Sequence, residues 1–352
     1  PVGTFGSDTE DIGKNLELQH LFRGPNSDIA VGIGAADATD VSSEIAFSAS
    51  SPSLETQTRH KNAYAYYLVK PAKSVSLLAG LSGDWLDNTA FGRIPIERDQ
   101  VNPKLGLTWT PLPSTVVRVA GFRMLKRTLV GDQTIEPTQI AGFNQLYDDP
   151  LGSDSQRFGI ALEHRLAPNL YTGIELTRRR LDVPFIFTDF LLGTEELRTS
   201  KWKEQFGRTY LYWAPHLRVS VSAEFIYEQF ARGNDPNDFF GTELFSEVTT
   251  QSVPLAIRYF DPSGFVAMLK ATRVNQEGIF IDQTSPSFFV PGEDRFWTVD
   301  TSVGYRLPHR HGYIGLEVKN LRDQEFRFQD TSPGAPMYYP RRLVMGRVVL
   351  AF

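Results

Sequence analysis

The chain has no cysteine, which excludes disulfide staples and thiolate metal sites. It has no run of about 18 or more apolar residues, which excludes a membrane-spanning helix. No stretch carries a convincing helical period, and no Gly-rich phosphate loop is present. Cations are not in excess, with 36 Lys and Arg against 41 Asp and Glu, so nucleic-acid binding has no support. Six histidines are scattered, and the pair at His309 and His311 sits in a short turn without the further ligands a zinc site needs. The expectation is therefore no metal, no cofactor and no enzyme. No signal peptide stands at the start, and Pro1 reads as a cut, so the expectation is either a mature chain or one from which an upstream part has been removed.

What is present is length, aromatics and alternation. The 352 residues are many for one soluble core. Aromatics reach 12%, rich enough to supply the girdles of a transmembrane barrel. Seven short proline-bearing segments punctuate the chain: RGPNSD at 23–28, KPAK at 70–73, PLPS at 111–114, APN at 167–169, APH at 214–216, DPSG at 261–264 and LPHRHG at 307–312. Proline and its neighbours end strand pairing and set turns. On either side of them the sequence alternates. After APH, Val219, Val221, Ala223 and Phe225 oppose Arg218, Ser220, Ser222 and Glu224. This period of two marks strands. A β-sandwich would alternate in the same way, but its strands are typically five or six residues long. These runs reach about 10 to 18 residues, with short turns at one end and longer loops at the other, as in outer-membrane barrels.

The fold class expected is all-β: a single transmembrane antiparallel up-and-down β-barrel domain over residues 1–352, of about sixteen strands. Seven turns join fourteen strands, and a closing strand over 339–352 makes fifteen. PVGTF at 1–5 is expected to supply a short sixteenth, placing both ends of the sheet on the short-turn, periplasmic side. Long loops are expected at 37–57, 88–100, 129–153, 183–195, 233–241, 284–291 and 323–338. The loop 129–153 stands out for Ile135, Ile140, Phe143, Leu146 and Tyr147, which a solvated loop does not need. It is expected to fold inward or to lie over the mouth. Its Asp148 and Asp149 are too common a pair to mark a calcium site.

Alternation also sorts the charges. Basic lumen candidates are Lys104, Arg118, Arg157, Arg165, Arg179, Arg208, Arg218, Arg258, Lys270, Arg306, Lys319 and Arg347. Acidic ones are Glu17, Asp84, Glu163, Glu175, Glu224, Glu228, Asp300 and Glu317. A Lys or Arg facing lipid at the midplane costs about 2–4 kcal/mol, so these belong around water. They serve either to pair across strands and stiffen the wall or to select solutes. Tyr171, Tyr210 and Tyr212 fall on the same side and are placed to stack on sugar rings or to pack the wall.

The C-terminal segment GYIGLEVKNLRDQEFRFQD at 312–330, with the closing YYPRRLVMGRVVLAF, resembles the end of TonB-dependent receptors. Val318, Asn320, Leu321 and Asp323 match a V-x-N-L-x-D strand, and Phe352 matches the terminal aromatic. The resemblance implies that Phe352 is the signal read by the barrel-insertion machinery. It covers about an eighth of the chain. The chain departs from that family in lacking a plug domain and a TonB box, and in having fewer than the family's 22 strands. Its architecture resembles in turn the sixteen-stranded pores of tetratricopeptide-repeat exporters of exopolysaccharide, which implies a periplasmic repeat domain upstream. The expected function is an outer-membrane pore for hydrophilic solutes or a polymer such as a polysaccharide, in contact with outer-membrane lipid and lipopolysaccharide. The alternatives are a plug-less receptor-like uptake barrel and a structural or adhesive barrel with a blocked lumen.

Overall fold

The computed structural model describes residues 5–46, 49–50, 54–90, 94–129, 133–145, 149–189, 192–232, 245–281, 289–308, 311–327, 338–339 and 341–350. Fifteen strands follow one another in chain order in one sheet. They are β1 (Phe5–Arg23), β2 (Ser27–Ala46), β3 (Leu54–Ala72), β4 (Val75–Ala90), β5 (Ile96–Leu112), β6 (Thr115–Leu125), β7 (Asp154–Ala167), β8 (Leu170–Asp189), β9 (Thr194–His216), β10 (Val219–Ala231), β11 (Phe245–Phe260), β12 (Phe265–Ile281), β13 (Phe289–Leu307), β14 (Gly312–Lys319) and β15 (Leu343–Leu350). A two-residue bridge, Ala49–Ser50, pairs with β2 and brings the sheet to sixteen strands.

All seven proline-bearing segments are tight turns or strand ends beside them, joining β1–β2, β3–β4, β5–β6, β7–β8, β9–β10, β11–β12 and β13–β14. The ladder slips between Val69 and Ala72, Trp109 and Leu112, and Trp213 and His216. Pro71, Pro111 and Pro215 stand inside those slips. Proline has no N–H for the ladder, so a bulge at the strand end is where it fits. In the β11–β12 turn Gly264 has φ +103, and an added Cβ would stand 2.6 Å from the Arg306 carbonyl oxygen. Only glycine satisfies both conditions.

Three expectations are corrected. First, Phe5, the last residue of PVGTF, does not belong to a separate short strand. Phe5 opens β1, which runs unbroken through Gly6–Gly13 to Arg23, and Pro1–Thr4 lie outside the described residues. Second, β1 therefore starts at the long-loop end while β15 finishes at the short-turn end, because an odd number of alternating strands separates them. Among the described residues no pairing joins β15 to β1. Third, the loops 37–57, 88–100 and 183–195 are shorter than expected, since Asp37–Ala46, Asn88–Ala90, Ile96–Gln100 and Val183–Asp189 are strand. From Val183 to Phe187 both faces are apolar, so no alternation shows; elsewhere the cause is polarity. Asp37 to Ala46 pairs with Lys14 to Phe5, and both segments are polar on both faces. Where neither face is apolar, alternation carries no signal, although the backbone still pairs.

The V-x-N-L-x-D segment also has a structural role. Asn320 and Asp323 have positive φ, 49° and 53°, a conformation that Asn and Asp tolerate best after glycine. Asn320 is buried. Its Oδ1 accepts from the Gln324 amide at 3.0 Å, and its Nδ2 donates to the carbonyls of Gln324 at 2.9 Å and Tyr339 at 3.2 Å. Asp323 accepts from the Arg342 amide at 2.8 Å. The motif ends β14 and ties the turn to the approach of β15.

The two faces of the sheet differ throughout. One carries exposed apolar side chains such as Leu81, Trp109, Ile160, Leu176, Leu211, Ile257 and Leu316. The other carries the polar positions and packs a loop.

Candidate functional site

The segment between β6 and β7 lies on the polar face of the sheet. Its centre is a hairpin, Gln139–Ile140 paired with Phe143–Asn144. Ala141 and Gly142 both take positive φ, as a two-residue turn of this hand requires. A Cβ on Gly142 would stand 2.2 Å from Arg118 Nη1, so glycine also admits that guanidinium. Ile140 and Phe143 are buried, and they pack with Tyr64, Tyr66, Ala120, Phe122 and Ala161 of the wall. Phe143 seats against Gly159, where an added Cβ would come within 2.6 Å of the ring. Arg118 lies over the same ring at 5.3 Å from its centroid.

Glu136 anchors the loop. Its carboxylate accepts from Tyr66 Oη at 2.6 Å, Asn62 Nδ2 at 3.1 Å and Arg127 Nη2 at 2.7 Å, and Lys104 Nζ stands 3.7 Å away. Beneath it Asp84 meets His60 Nε2 at 2.9 Å, accepts from Asn102 Nδ2 at 2.6 Å and lies 3.7 Å from Arg127. Lys104 also donates to Ser82 Oγ at 3.1 Å. Asp84, Lys104, Arg127 and Glu136 are all buried, two of each sign. Ions this deep are tolerated only when paired and hydrogen-bonded, and this cluster meets that condition. On one flank Glu17 accepts from the Ile135 amide at 2.6 Å and Thr134 Oγ1 at 3.1 Å, while Gln19 donates to the Ile135 carbonyl at 2.7 Å. On the other, Arg179 forks onto Asp149 at 2.8 Å and onto Glu204 at 2.7 Å. Burial pushes the Asp149 carboxyl up from its usual range, against the pull of Arg179. The loop thus spans the wall from β1 to β9. Of its apolar residues, Ile140 and Phe143 are buried and Ile135 is exposed. Leu146, Tyr147 and Asp148 lie outside the described residues.

Cross-strand register places the in-strand charged candidates, from Lys104 through Arg347, on this same face. Their surroundings differ. Lys104 and Arg179 are buried under the loop. Arg157 donates to the Asn144 carbonyl at 2.9 Å. Arg118 pairs with Glu163 at 2.5 Å, and Arg208 with Glu224 at 2.8 Å. Glu175 stands opposite Arg208, and Lys270 opposite Asp300. Arg258 reaches Ser222 at 3.5 Å, and Lys319 lies over the Tyr339 ring at 4.7 Å. Glu317 sits between Ser302 and Met345. Arg165, Arg306 and Arg347 are exposed toward the short-turn end. Arg218 is in a turn, 3.4 Å from Asp261. Tyr210 and Tyr212 stack at 4.7 Å, and Tyr212 donates to Glu224 at 2.8 Å. Phe352 lies outside the described residues.

Sequence reading missed His60, Asn62, Tyr64, Tyr66, Asn102, Arg127 and Glu136 as one cluster. The available signal was Thr58-His60-Asn62-Tyr64-Tyr66, an alternating row of polar and aromatic side chains on β3. An all-polar water-facing row does not need two tyrosines.

No protein-family model matches the chain, and no curated protein sequence does. Solved structures do. The ferripyoverdine receptor of the outer membrane of Pseudomonas aeruginosa superposes with a TM-score of 0.66 at 12% identity, over 98% of this chain and 48% of that one. The shared fold is that of an outer-membrane β-barrel. The ferric-catecholate import receptor Fiu from E. coli K12 gives 0.62 at 13% identity, over 97% and 54%. The copper transporter OprC gives 0.67 at 11% identity, over 99% and 58%. The chain spans about half the length of the structures it matches. The all-β, up-and-down architecture read from alternation is therefore the architecture found.

Proposed function

We propose that the chain forms the wall of an outer-membrane transport barrel, with the loop-bearing face as its lumen and the apolar face toward lipid. One observation carries this reading. Across fifteen strands the register sends the charged candidates to the face that holds the loop, and exposed aliphatic and aromatic side chains to the other. In lipid such a division satisfies the backbone and keeps charges wet. Lys104 and Arg179 then hold the loop rather than touch solute. The solute meets Arg208, Glu224, Arg258, Lys270, Asp300, Glu317 and the paired Tyr210 and Tyr212. These suit a hydrophilic solute bearing hydroxyls or charge.

The similar solved structures are receptors and transporters, which favours the receptor-like uptake reading over polysaccharide export. The ligands for which those proteins are named belong to them. The docked loop acts as a constriction in this scheme. Planar-bilayer conductance of the full chain tests it, beside a variant in which residues 130–148 are replaced by a short Gly-Ser linker. Conductance is expected to rise several-fold on replacement. No stable current from either protein would sink the transport reading and leave a wall with a blocked lumen.

A further inference from the structure

We propose that the apolar face carries a site for the phosphate of an acylated membrane lipid, on β6–β9 where the apolar belt ends. The inference rests on that face being turned to lipid. On β8 the belt runs through Leu170, which is half-buried, and through Ile174 and Leu176, which are exposed. The next two positions on the same face are Arg178 and Arg180. Register aligns Arg180 with Gln156 and Arg123 on one side and with Lys203 on the other. Arg178 lies one step nearer the belt, beside Phe158.

This is an unbalanced row. Arg123 is neutralised by Asp154, through contacts of 2.9 and 2.6 Å. Arg178, Arg180 and Lys203 are exposed and make no hydrogen bond or ion pair with the described residues. Arg180 and Lys203 stand directly opposite each other, and like charges so placed repel across a ladder. Arg178 and Arg180 project about 7 Å apart along one strand, a spacing that lets two guanidiniums fork onto one phosphate group.

The arginines border a groove of about 690 Å³ whose floor is Leu105, Gly121 and Phe158. Leu105 and Phe158 are 64% and 56% exposed, so the floor is open and continuous with the belt. A free anion needs no such floor, whereas an acyl chain does. The backbone here is fully engaged between neighbouring strands, so it offers no edge to an added peptide strand. Cationic rim and apolar floor together match a phosphorylated headgroup with its chain lying down the belt.

The test uses the full chain in neutral detergent, titrated with diphosphorylated lipid A, with its dephosphorylated form and with inorganic phosphate. Binding is read by native mass spectrometry and intrinsic fluorescence, and strand content is checked by circular dichroism. The phosphorylated lipid is expected to bind about tenfold or more tighter than the dephosphorylated one. Arg178→Gln with Arg180→Gln removes that difference. Phe158→Ser weakens the lipid without changing the response to inorganic phosphate. Lys61→Gln, an exposed cation on the same face of β3, leaves binding unchanged. The proposal is overturned if the double variant, with native strand content, binds like the parent, or if Lys61→Gln weakens binding equally. It is also overturned if inorganic phosphate displaces the lipid at matched concentration, which marks a free-anion site. Each of these readings is independent of conductance.

Discussion

Two arginine–carboxylate pairs on the loop-bearing face show how far surroundings outweigh geometry. Arg127–Glu136 and Arg208–Glu224 have nearly equal contacts, 2.7 and 2.8 Å. The first has side chains 6% and 8% exposed, and the second 33% and 18%. The first lies where loop 126–153 presses on the wall, the second nearer the short turns, where nothing described covers it. A buried pair that loses one member leaves an uncompensated ion in low dielectric. A half-buried pair that loses one member leaves an ion that water can reach. The same side-chain chemistry is thus sealed at one level of the sheet and reached by water at another.

The largest test of that contrast is Glu136→Ala. It removes the carboxylate that Arg127, Lys104, Asn62 and the Tyr66 hydroxyl share and leaves the two buried cations with Asp84 as their one buried anion, and breaking a buried pair costs about 3–5 kcal/mol. The loop is expected to undock, so trypsin cuts after Arg127 and denaturant unfolding shifts to lower concentration. A loop as protease-resistant as the parent's would break the comparison.

A smaller effect is expected from Phe143→Ala, which removes the apolar anchor and keeps the ions paired. Truncating a buried phenylalanine costs about 3–5 kcal/mol where the site cannot collapse. Here the hairpin can settle into the space against Gly159, so the change should fall below that of Glu136→Ala. A Phe143→Ala protein less stable than Glu136→Ala would show that apolar packing, not the ion cluster, is the main lock.

Smaller again is Arg208→Gln at the open level, about 1 kcal/mol or less in stability. Its readout is selectivity instead. Removing a cation from the lining should raise the preference for cations in reversal-potential measurements. A loss of stability to match Glu136→Ala would mean that this level is as closed as the other.

The smallest concerns a group wholly outside the barrel. Asp261, in the β11–β12 turn, has its pKa lowered from 3.8 to about 2, first by the backbone N–H of Ser263 and then by the hydroxyls of Ser263 and Tyr259. A depressed carboxyl stabilises the fold above its unfolded value and loses that contribution as pH falls. The turn is therefore at full strength above pH 3.8 and weakens as pH drops through about 2. The Ser263 amide resonance should titrate in that window, and Asp261→Asn should abolish the titration.

How much of this was legible in advance depended on the range of the interaction. The turns were legible, because Pro71, Pro111 and Pro215 interrupt ladders in their immediate neighbourhood. The face of Arg208 or Lys270 was legible too, because period two fixes it from adjacent residues. The strand end around Asp37 was not, since both faces there are polar and alternation fades, and the one around Val183 was not, since Val183 to Phe187 is apolar on both faces. The cluster at Glu136 was not either. Its partners Tyr66 and Asn62 are separated from it by 70 and 74 residues, and Ile135 lies 118 residues from Glu17.

Sequence by itself determined strands, turns and the division of side chains between two faces, because each is set within a few residues by pleat geometry and turn chemistry. Tertiary structure decided which inward charges remain wet and which are sealed. Sealing depends on where a loop lands, and that contact is made between residues that share no local pattern.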